Sequence, residues 1–310
     1  MSNITQRDSF WNRVYELAKV DRDIIIVTED MGAPSLDKFR TDLNDQFVNV
    51  GIAEQNGLLV ASGLAMEGKC CFVYAIAPFV TLRALELIRV ENAIMNIPLT
   101  IVGVGGGFGY DDSGPTHHLI EDIAIMRSMP NITINSISDA IMASAVADES
   151  VAMTSTNYIR LDRQLSPDIY KPGDDFSKGF AVVKPNADKY IIATGRMVQT
   201  ALNASEKLAA DGISLGVIDL FRIPVCIPEL MNAIGGSKQL FSLEEHFLPG
   251  GMGSYLLEIL NDEKTCIPLT RLGLSFEKGY CYTYGGRSKI HEYYEVDVDS
   301  VVTDIKKAMN

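Results

Sequence analysis

Five runs in the first half of the chain, DIIIVTED, CCFVYAIA, LTIVGVGG, NITINSI and VAMTSTNYIRL, are apolar almost without interruption, and segments of helical character separate them. A strand with one wet face alternates apolar and polar residues, so a strand with no polar face must be covered on both sides. Such runs divided by helices predict a doubly wound α/β arrangement, a parallel sheet with helices on each face. The helices expected here include Ser9–Lys19, Val80–Met95 stopped by Pro98, and Ala140–Glu149, which Asp139 can cap. Residues 164–179, QLSPDIYKPGDDFSKG, break the pattern with proline, glycine and charge and read as a linker. Beyond them KYIIATG, SLGVIDLFRI, QLFSLEEH and TRLGLSF read as strands, with helices at Met197–Ala210, Ser254–Asn261 and Val301–Met309. Two doubly wound units are therefore expected, residues 1–163 and 180–310, each around a mostly parallel sheet.

Charge and composition exclude several functions. A net charge of −13 with no basic run is unsuited to a phosphate backbone, so no nucleic-acid partner is expected. No apolar run approaches the ~20 residues of a membrane span, and MSNITQRDSF lacks the regions of a signal peptide, which predicts a cytoplasmic chain with no membrane partner. The five cysteines, Cys70, Cys71, Cys226, Cys266 and Cys281, form no CxxC pair and read as reduced core thiols; no metal site of this chain's own is expected.

Sheets of this kind bind ligands beyond the carboxyl ends of their strands, and two loops there are rich in chemistry. In VGIAEQN, Glu54 opens a helix whose Leu58, Leu59, Ala61, Leu64 and Ala65 leave little polar face, so the acid enters a buried setting. Complementing the helix dipole, worth roughly 0.3–1 kcal/mol, is by itself reason enough for an acid there. In GGGFGYDDSGPTHHLIED the glycines Gly105–Gly107, Gly109 and Gly114 permit close backbone approach, and His117 and His118 titrate near neutrality. The glycine spacing is not that of a nucleotide-binding fingerprint, so these residues alone leave a flexible turn and a catalytic loop both open.

VGIAEQN, FVTLRALELIR, GFGYDDSGPTHHLIEDIAIMR, ATGRMVQTAL and EEHFLPGGMGS, in this order, resemble the C-terminal half of transketolases, a pyrimidine-binding domain followed by a C-terminal domain. GIAEQ together with GPTH is shared with the 1-deoxyxylulose-5-phosphate synthases. The beta subunits of 2-oxo acid dehydrogenases have the architecture without GPTHH. The resemblance implies a thiamine-diphosphate-dependent enzyme moving a two-carbon ketol unit from a ketose to an aldose. It implies that Glu54 hydrogen-bonds the N1′ nitrogen of the cofactor's aminopyrimidine ring, where burial favours a carboxyl that can hold a proton. Phe79, just before the next helix, is implied to pack on that ring, with Ile52, Gln55 and Arg83 beside it. His117 is implied to face the substrate's oxygens and assist proton transfer, and His118, Asp112, Ser113 and Arg7 are the further substrate contacts.

Transketolases carry the diphosphate and its metal on an N-terminal domain through a GDG motif, and this sequence contains no GDG. The resemblance therefore implies a split transketolase in which a separate N-terminal subunit mainly holds the diphosphate and Mg²⁺ (or Ca²⁺), assembled as an (αβ)₂ heterotetramer with this chain also pairing with itself. Two departures bear on the sugar. Ser113 stands where relatives have aspartate, so the contact to the donor's hydroxyl is altered or passes to Asp112. Ser136 opens Ser136-Ile137-Ser138-Asp139 where relatives read RPAD, and serine cannot replace a bidentate arginine. A sugar without the usual terminal phosphate, or with another group there, is the resulting expectation. A pyruvate-decarboxylating synthase and a non-catalytic paralogue are the rival readings. Glu244, Glu245 and His246 are expected to serve structure or a subunit contact.

Overall fold

A computed structural model describes residues 4–186 and 188–309. The first half supplies β1 (Ile24–Thr28), β2 (Phe47–Asn49), β3 (Cys70–Ile76), β4 (Thr100–Val104), β5 (Ile132–Ser136) and β6 (Thr156–Leu161). The second supplies β7 (Phe180–Lys184), β8 (Lys189–Ala193), β9 (Gly216–Leu220), β10 (Arg222–Ile223), β11 (Gln239–Phe247) and β12 (Leu269–Leu274). The larger sheet has the order β10-β5-β6-β4-β3-β1-β2 and the smaller β12-β11-β8-β9-β7. Only β10 and β7, each at an edge, run antiparallel to their neighbours. The fold is α/β with two mostly parallel sheets, as the apolar runs predict.

Strands β1, β4 and β6 are buried at every position, the signature of a sheet covered on both faces. Alternate residues of β1 serve different cores. Ile24 and Ile26 meet the aromatic cluster of Trp11, Phe72 and Tyr74, while Ile25 and Val27 join a core that runs on into Ile192, Ile218 and Leu240 of the second half. Trp11 stands edge-on to Tyr74 with ring centroids 5.0 Å apart.

Several boundaries differ from the sequence expectation, each for a local reason. The first helix is Gln6–Ala18, because the Thr5 hydroxyl caps it by accepting from Asp8 N at 3.1 Å. The stretch read as Val80–Met95 begins earlier and is broken: a helix at Ala77–Thr81 takes Pro78 into its first turn, and Leu85–Leu87 then leads into a π-helical turn, Ile88–Ile94. Phe79 thus lies inside a helix rather than before one. VAMTSTNYIRL is strand only over Thr156–Leu161. SLGVIDLFRI divides at Phe221, with β9 in the smaller sheet and β10 paired to β5 of the larger. Strand β7 and helices Ile227–Ile234 and Arg287–Tyr294 were not expected. Cys226 and Cys266 are exposed, so the core-thiol expectation holds for Cys71 and Cys281 and not for these two. Among the described residues no helix is long and apolar enough to cross a membrane.

The EEH motif at the end of β11 builds the junction between the halves. Glu244 caps helix Met252–Asp262, accepting from Met252 N at 2.6 Å and Gly253 N at 2.8 Å. His246 Nε2 accepts from Ala124 N at 3.3 Å, with Nδ1 on Phe247 O at 2.6 Å. Glu245, 2% exposed, takes both Arg287 Nε (2.8 Å) and Nη2 (2.5 Å), His291 Nε2 (2.5 Å) and the backbone N of Phe108 (3.0 Å). Arg287 Nη1 continues to Asp162 at 2.5 Å. Removing one member of a buried charge cluster strands the others, so Glu245→Ala should cost about 3–5 kcal/mol, read as a lowered denaturation midpoint. Burial opposes the Glu245 charge, but Arg287 and His291 prevail and hold its carboxyl far below the usual range. Its contribution is then complete above the unfolded carboxyl's range and lost as pH falls through the depressed value, so the gap between wild type and E245A should narrow on acidification.

Candidate active site

After β2 the chain turns through Gly51, at φ +76°, into helix Glu54–Met66. Leu58, Ala61 and Ala65 anchor that helix in the core, which leaves Glu54 at its first position 5% exposed. Glu54 Oε2 accepts from Arg83 Nη1 at 2.7 Å. The same guanidinium lies 4.3 Å over the ring of Phe79. Gln55 Nε2 fixes the backbone beneath it by donating to Arg83 O at 3.0 Å. Phe79 in turn meets the His117 ring edge-on at 5.2 Å, and His117 Nδ1 is engaged with Thr116 Oγ1 at 3.0 Å. The structure thus joins Glu54, Gln55, Phe79, Arg83 and His117 through direct contacts. Ile52, just before Glu54, is 81% exposed.

The loop carrying His117 owes its glycines to what crowds it. A Cβ at Gly105 would stand 2.2 Å from the Tyr110 ring, and one at Gly107 would stand 1.9 Å from Glu245 Oε2. Reciprocal hydrogen bonds between Gly107 and Leu119 close the loop at 2.8 and 2.9 Å. Tyr110 is thereby folded back to within 6.0 Å of the His117 ring, and the Arg163 guanidinium lies 4.5 Å from the centre of the Tyr110 ring. Burial pushes the Tyr110 hydroxyl pKa up, while the guanidinia of Arg163 and Arg7 pull it down, so both cations stand within electrostatic reach of this ring. Arg7 is paired with Asp8 at 2.8 Å, and among the described residues the ion-pair partner of Arg163 is Asp112, at a long 3.4 Å.

Other expected residues fall elsewhere. His118 is 5% exposed and packs edge-on against Phe108 at 5.0 Å, and burial pulls its pKa down. It belongs to the interior, not to the group around His117. Asp112 is exposed and takes up the Ser113 hydroxyl at 3.0 Å. Ser136 is buried against Gly195 and lines a small void with Arg160, Arg196 and Arg287. That departure from RPAD therefore lies at the junction of the halves, while Arg83 lies over Phe79 and Arg163 over Tyr110.

Two residues were not singled out from the sequence. Arg163 follows β6, and Glu29 follows β1, each just beyond the carboxyl end of its strand. Among the described residues no side chain hydrogen-bonds either buried Glu29 carboxylate oxygen, and Gly57 makes room for them, since a Cβ there would lie 2.5 Å from Oε1. Burial, reinforced by the charge of Glu54, pushes the Glu29 pKa up to about 9. The strand-end rule that selected the two loops applied equally to VTED and RLDRQ, and was the available signal.

Comparison with known proteins places the chain in a family. The transketolase pyrimidine-binding domain family matches residues 2–168, and the transketolase C-terminal domain family matches residues 179–301. The chain is 33% identical over 305 residues to one of the subunits of the apulose-4-phosphate transketolase of Phocaeicola vulgatus, covering 96% of this chain and 95% of that one. It is 30% identical to a subunit of the 6-deoxy-6-sulfo-D-fructose transketolase of a Clostridium species, over 86% of this chain and 84% of that one. The solved structure of a split-gene transketolase, an inactive beta4 tetramer, superposes with a TM-score of 0.87 at 29% identity, covering 99% of this chain and 98% of that one. With both domains matched in order and the Glu54 and His117 loops brought together by the fold, this chain belongs to the transketolase family.

Proposed function

We propose that this chain is the subunit of a two-chain transketolase that activates thiamine diphosphate and receives the sugar, transferring a two-carbon ketol unit from a ketose to an aldose. The contact series Glu54–Arg83–Phe79–His117 carries the reading. The family implies thiamine diphosphate and a divalent metal, and the residues suit the aminopyrimidine end of that cofactor. A flat, nitrogen-bearing group already lies on Phe79 and donates to Glu54: the guanidinium of Arg83. Glu54, Phe79, Ile52, Gln55 and Arg83 would hold the cofactor there. When bound, thiamine diphosphate supplies the electron sink that carbon–carbon cleavage requires.

Glu54 would hydrogen-bond the N1′ nitrogen of the bound aminopyrimidine. Glu29, kept protonated at neutral pH, adds no second negative charge beside it. His117 has Nδ1 engaged by Thr116, so Nε2 is the nitrogen that meets substrate oxygens and moves their proton. Arg7 and Arg163, flanking Tyr110, hold an anionic group at the far end of the sugar. A phosphorylated or sulfonated sugar fits them, the sulfonated end falling within the expectation of another group in place of the phosphate, and the names of the two relatives specify a sugar phosphate and a sulfonated sugar.

The diphosphate and metal fall to an N-terminal subunit carrying the GDG motif, in an (αβ)₂ heterotetramer, with the cytoplasm as its compartment. Ile52, Leu59 and Met66, exposed by 81%, 43% and 65% along the Glu54 helix and its entry, give that assembly an apolar face to cover. A pyruvate-using synthase would show pyruvate displacing ketose as the donor.

Three outcomes are expected. In the reconstituted two-chain enzyme, Glu54→Gln should lower ketol transfer by ~10²-fold or more with an unchanged melting curve, since it removes a positioned proton-transfer group; activity within a few-fold of wild type would leave the carboxylate only its helix-end role. Calorimetry should find no micromolar, Mg²⁺-dependent thiamine diphosphate binding by this chain alone and clear binding by the pair. Arg163→Gln should raise KM for a phosphorylated sugar by roughly tenfold or more, the value of one charge-assisted contact of about 1.5–3 kcal/mol, and leave glycolaldehyde unaffected.

A further inference from the structure

The second half of the chain reaches over the loop that carries His117. Its segment Tyr280–Arg287 is fastened to that loop at two points. Tyr280 Oη donates to Glu121 Oε1 at 2.6 Å, and Arg287 N donates to Asp111 Oδ2 at 2.7 Å. Between these points Gly285 and Gly286 take φ values of 141° and 85°, a conformation open to glycine, and the chain bends back. The Tyr284 hydroxyl comes to rest against Gly114, where a Cβ would lie 2.9 Å away. Gly114 is buried under it, yet Tyr284 itself is 64% exposed.

Gly114 lies in the middle of the turn whose ends are Tyr110 and His117, and those two rings approach to 6.0 Å. An aromatic ring from the second half therefore stands on the turn that sets His117, with much of its surface bare. A tyrosine offers an apolar face for the C–H groups of a sugar and a polar tip for its hydroxyls. The hydroxyl faces Gly114, so the ring is fixed at its tip by the turn and at its base by the two fastenings.

We propose that Tyr284 is a specificity-determining residue, an outer wall of the sugar site against which the carbons beyond the reacting end of a longer aldose lie. This rests on the transketolase reading above. It gives the second half of the chain a part in substrate choice: short aldehydes end before the wall, and longer ones touch it. Cation contacts from Arg163 and Arg7 fix the charged terminus, and Tyr284 sets which carbon chains bring that terminus into place.

The test uses the reconstituted two-chain enzyme with glycolaldehyde, glyceraldehyde 3-phosphate and ribose 5-phosphate as acceptors and one constant donor. Tyr284→Ala should raise KM for ribose 5-phosphate by about tenfold with kcat nearly unchanged, raise it less for glyceraldehyde 3-phosphate, and leave glycolaldehyde within about twofold. Tyr284→Phe should retain most of the wild-type discrimination. Calorimetric binding of ribose 5-phosphate should weaken in parallel. An equal loss at every acceptor length, a shifted melting curve accounting for the loss, no loss at any length, or a weakened association with the N-terminal subunit would each overturn the assignment. Transfer to glycolaldehyde by the wild-type enzyme is the separate check on the transketolase reading, because its absence would sink that reading whatever Tyr284 does.

Discussion

The fold's functional geometry depends on one buried carboxylate. Glu245 holds Arg287 and His291 from its own half with one set of lone pairs and the Phe108 amide of the other half with another. A charge removed from water is tolerable only when nearly every lone pair is satisfied, and here backbone and side chains share that duty. The glycine loop is consequently pressed onto the second half at Gly107, folds back through Tyr110, and delivers His117 to Phe79. A residue far from that loop in sequence thus determines where His117 stands.

The Glu54 site follows a comparable electrostatic logic. Two buried carboxyls lie within electrostatic reach of one another in different settings: Glu54 pairs with the Arg83 guanidinium at 2.7 Å, whereas among the described residues no side chain bonds the Glu29 carboxyl, whose pKa burial pushes up to about 9. Carboxyls whose surroundings differ in this way can occupy neighbouring places without both ionising. The small residue at Gly57 is the condition, since any side chain there would collide with the Glu29 carboxyl.

The repeating architecture was legible because strands β1, β4 and β6 have no polar face, and burial on both sides is their only stable disposition. Helix Met197–Ala210 was legible to the residue. Edges were not. Strand β7 is partly exposed along an edge, so its composition carries no doubly buried signal, and β10 is two residues long. Phe79 was placed before a helix because the helix was read from Val80, whereas Pro78 is well suited to its first turn. The resemblance to transketolases drew Glu54, Gln55, Phe79, Arg83 and His117 together, which their loops alone left open. His118 could not be separated from its neighbour without knowing which face of the turn meets Phe108. Glu29 and Arg163 were equally near strand ends, but an acid or arginine in such a place is ordinary until burial and neighbours are known.

One strand carries a consequence for the lineage of such chains. Arg222 and Ile223, encoded beyond the linker, complete the edge of the sheet that precedes it, with Arg222 Nε on Asn135 Oδ1 at 2.8 Å and register to Asn135 and Ile134. The two halves are therefore spliced in space where they are contiguous only once in sequence. Exchange of the C-terminal half between relatives by recombination at the linker would transplant an edge of the recipient's first sheet as well. Chimeras viable at that crossover must match at positions 134 and 135, so the genetic seam and the structural seam of this chain do not coincide.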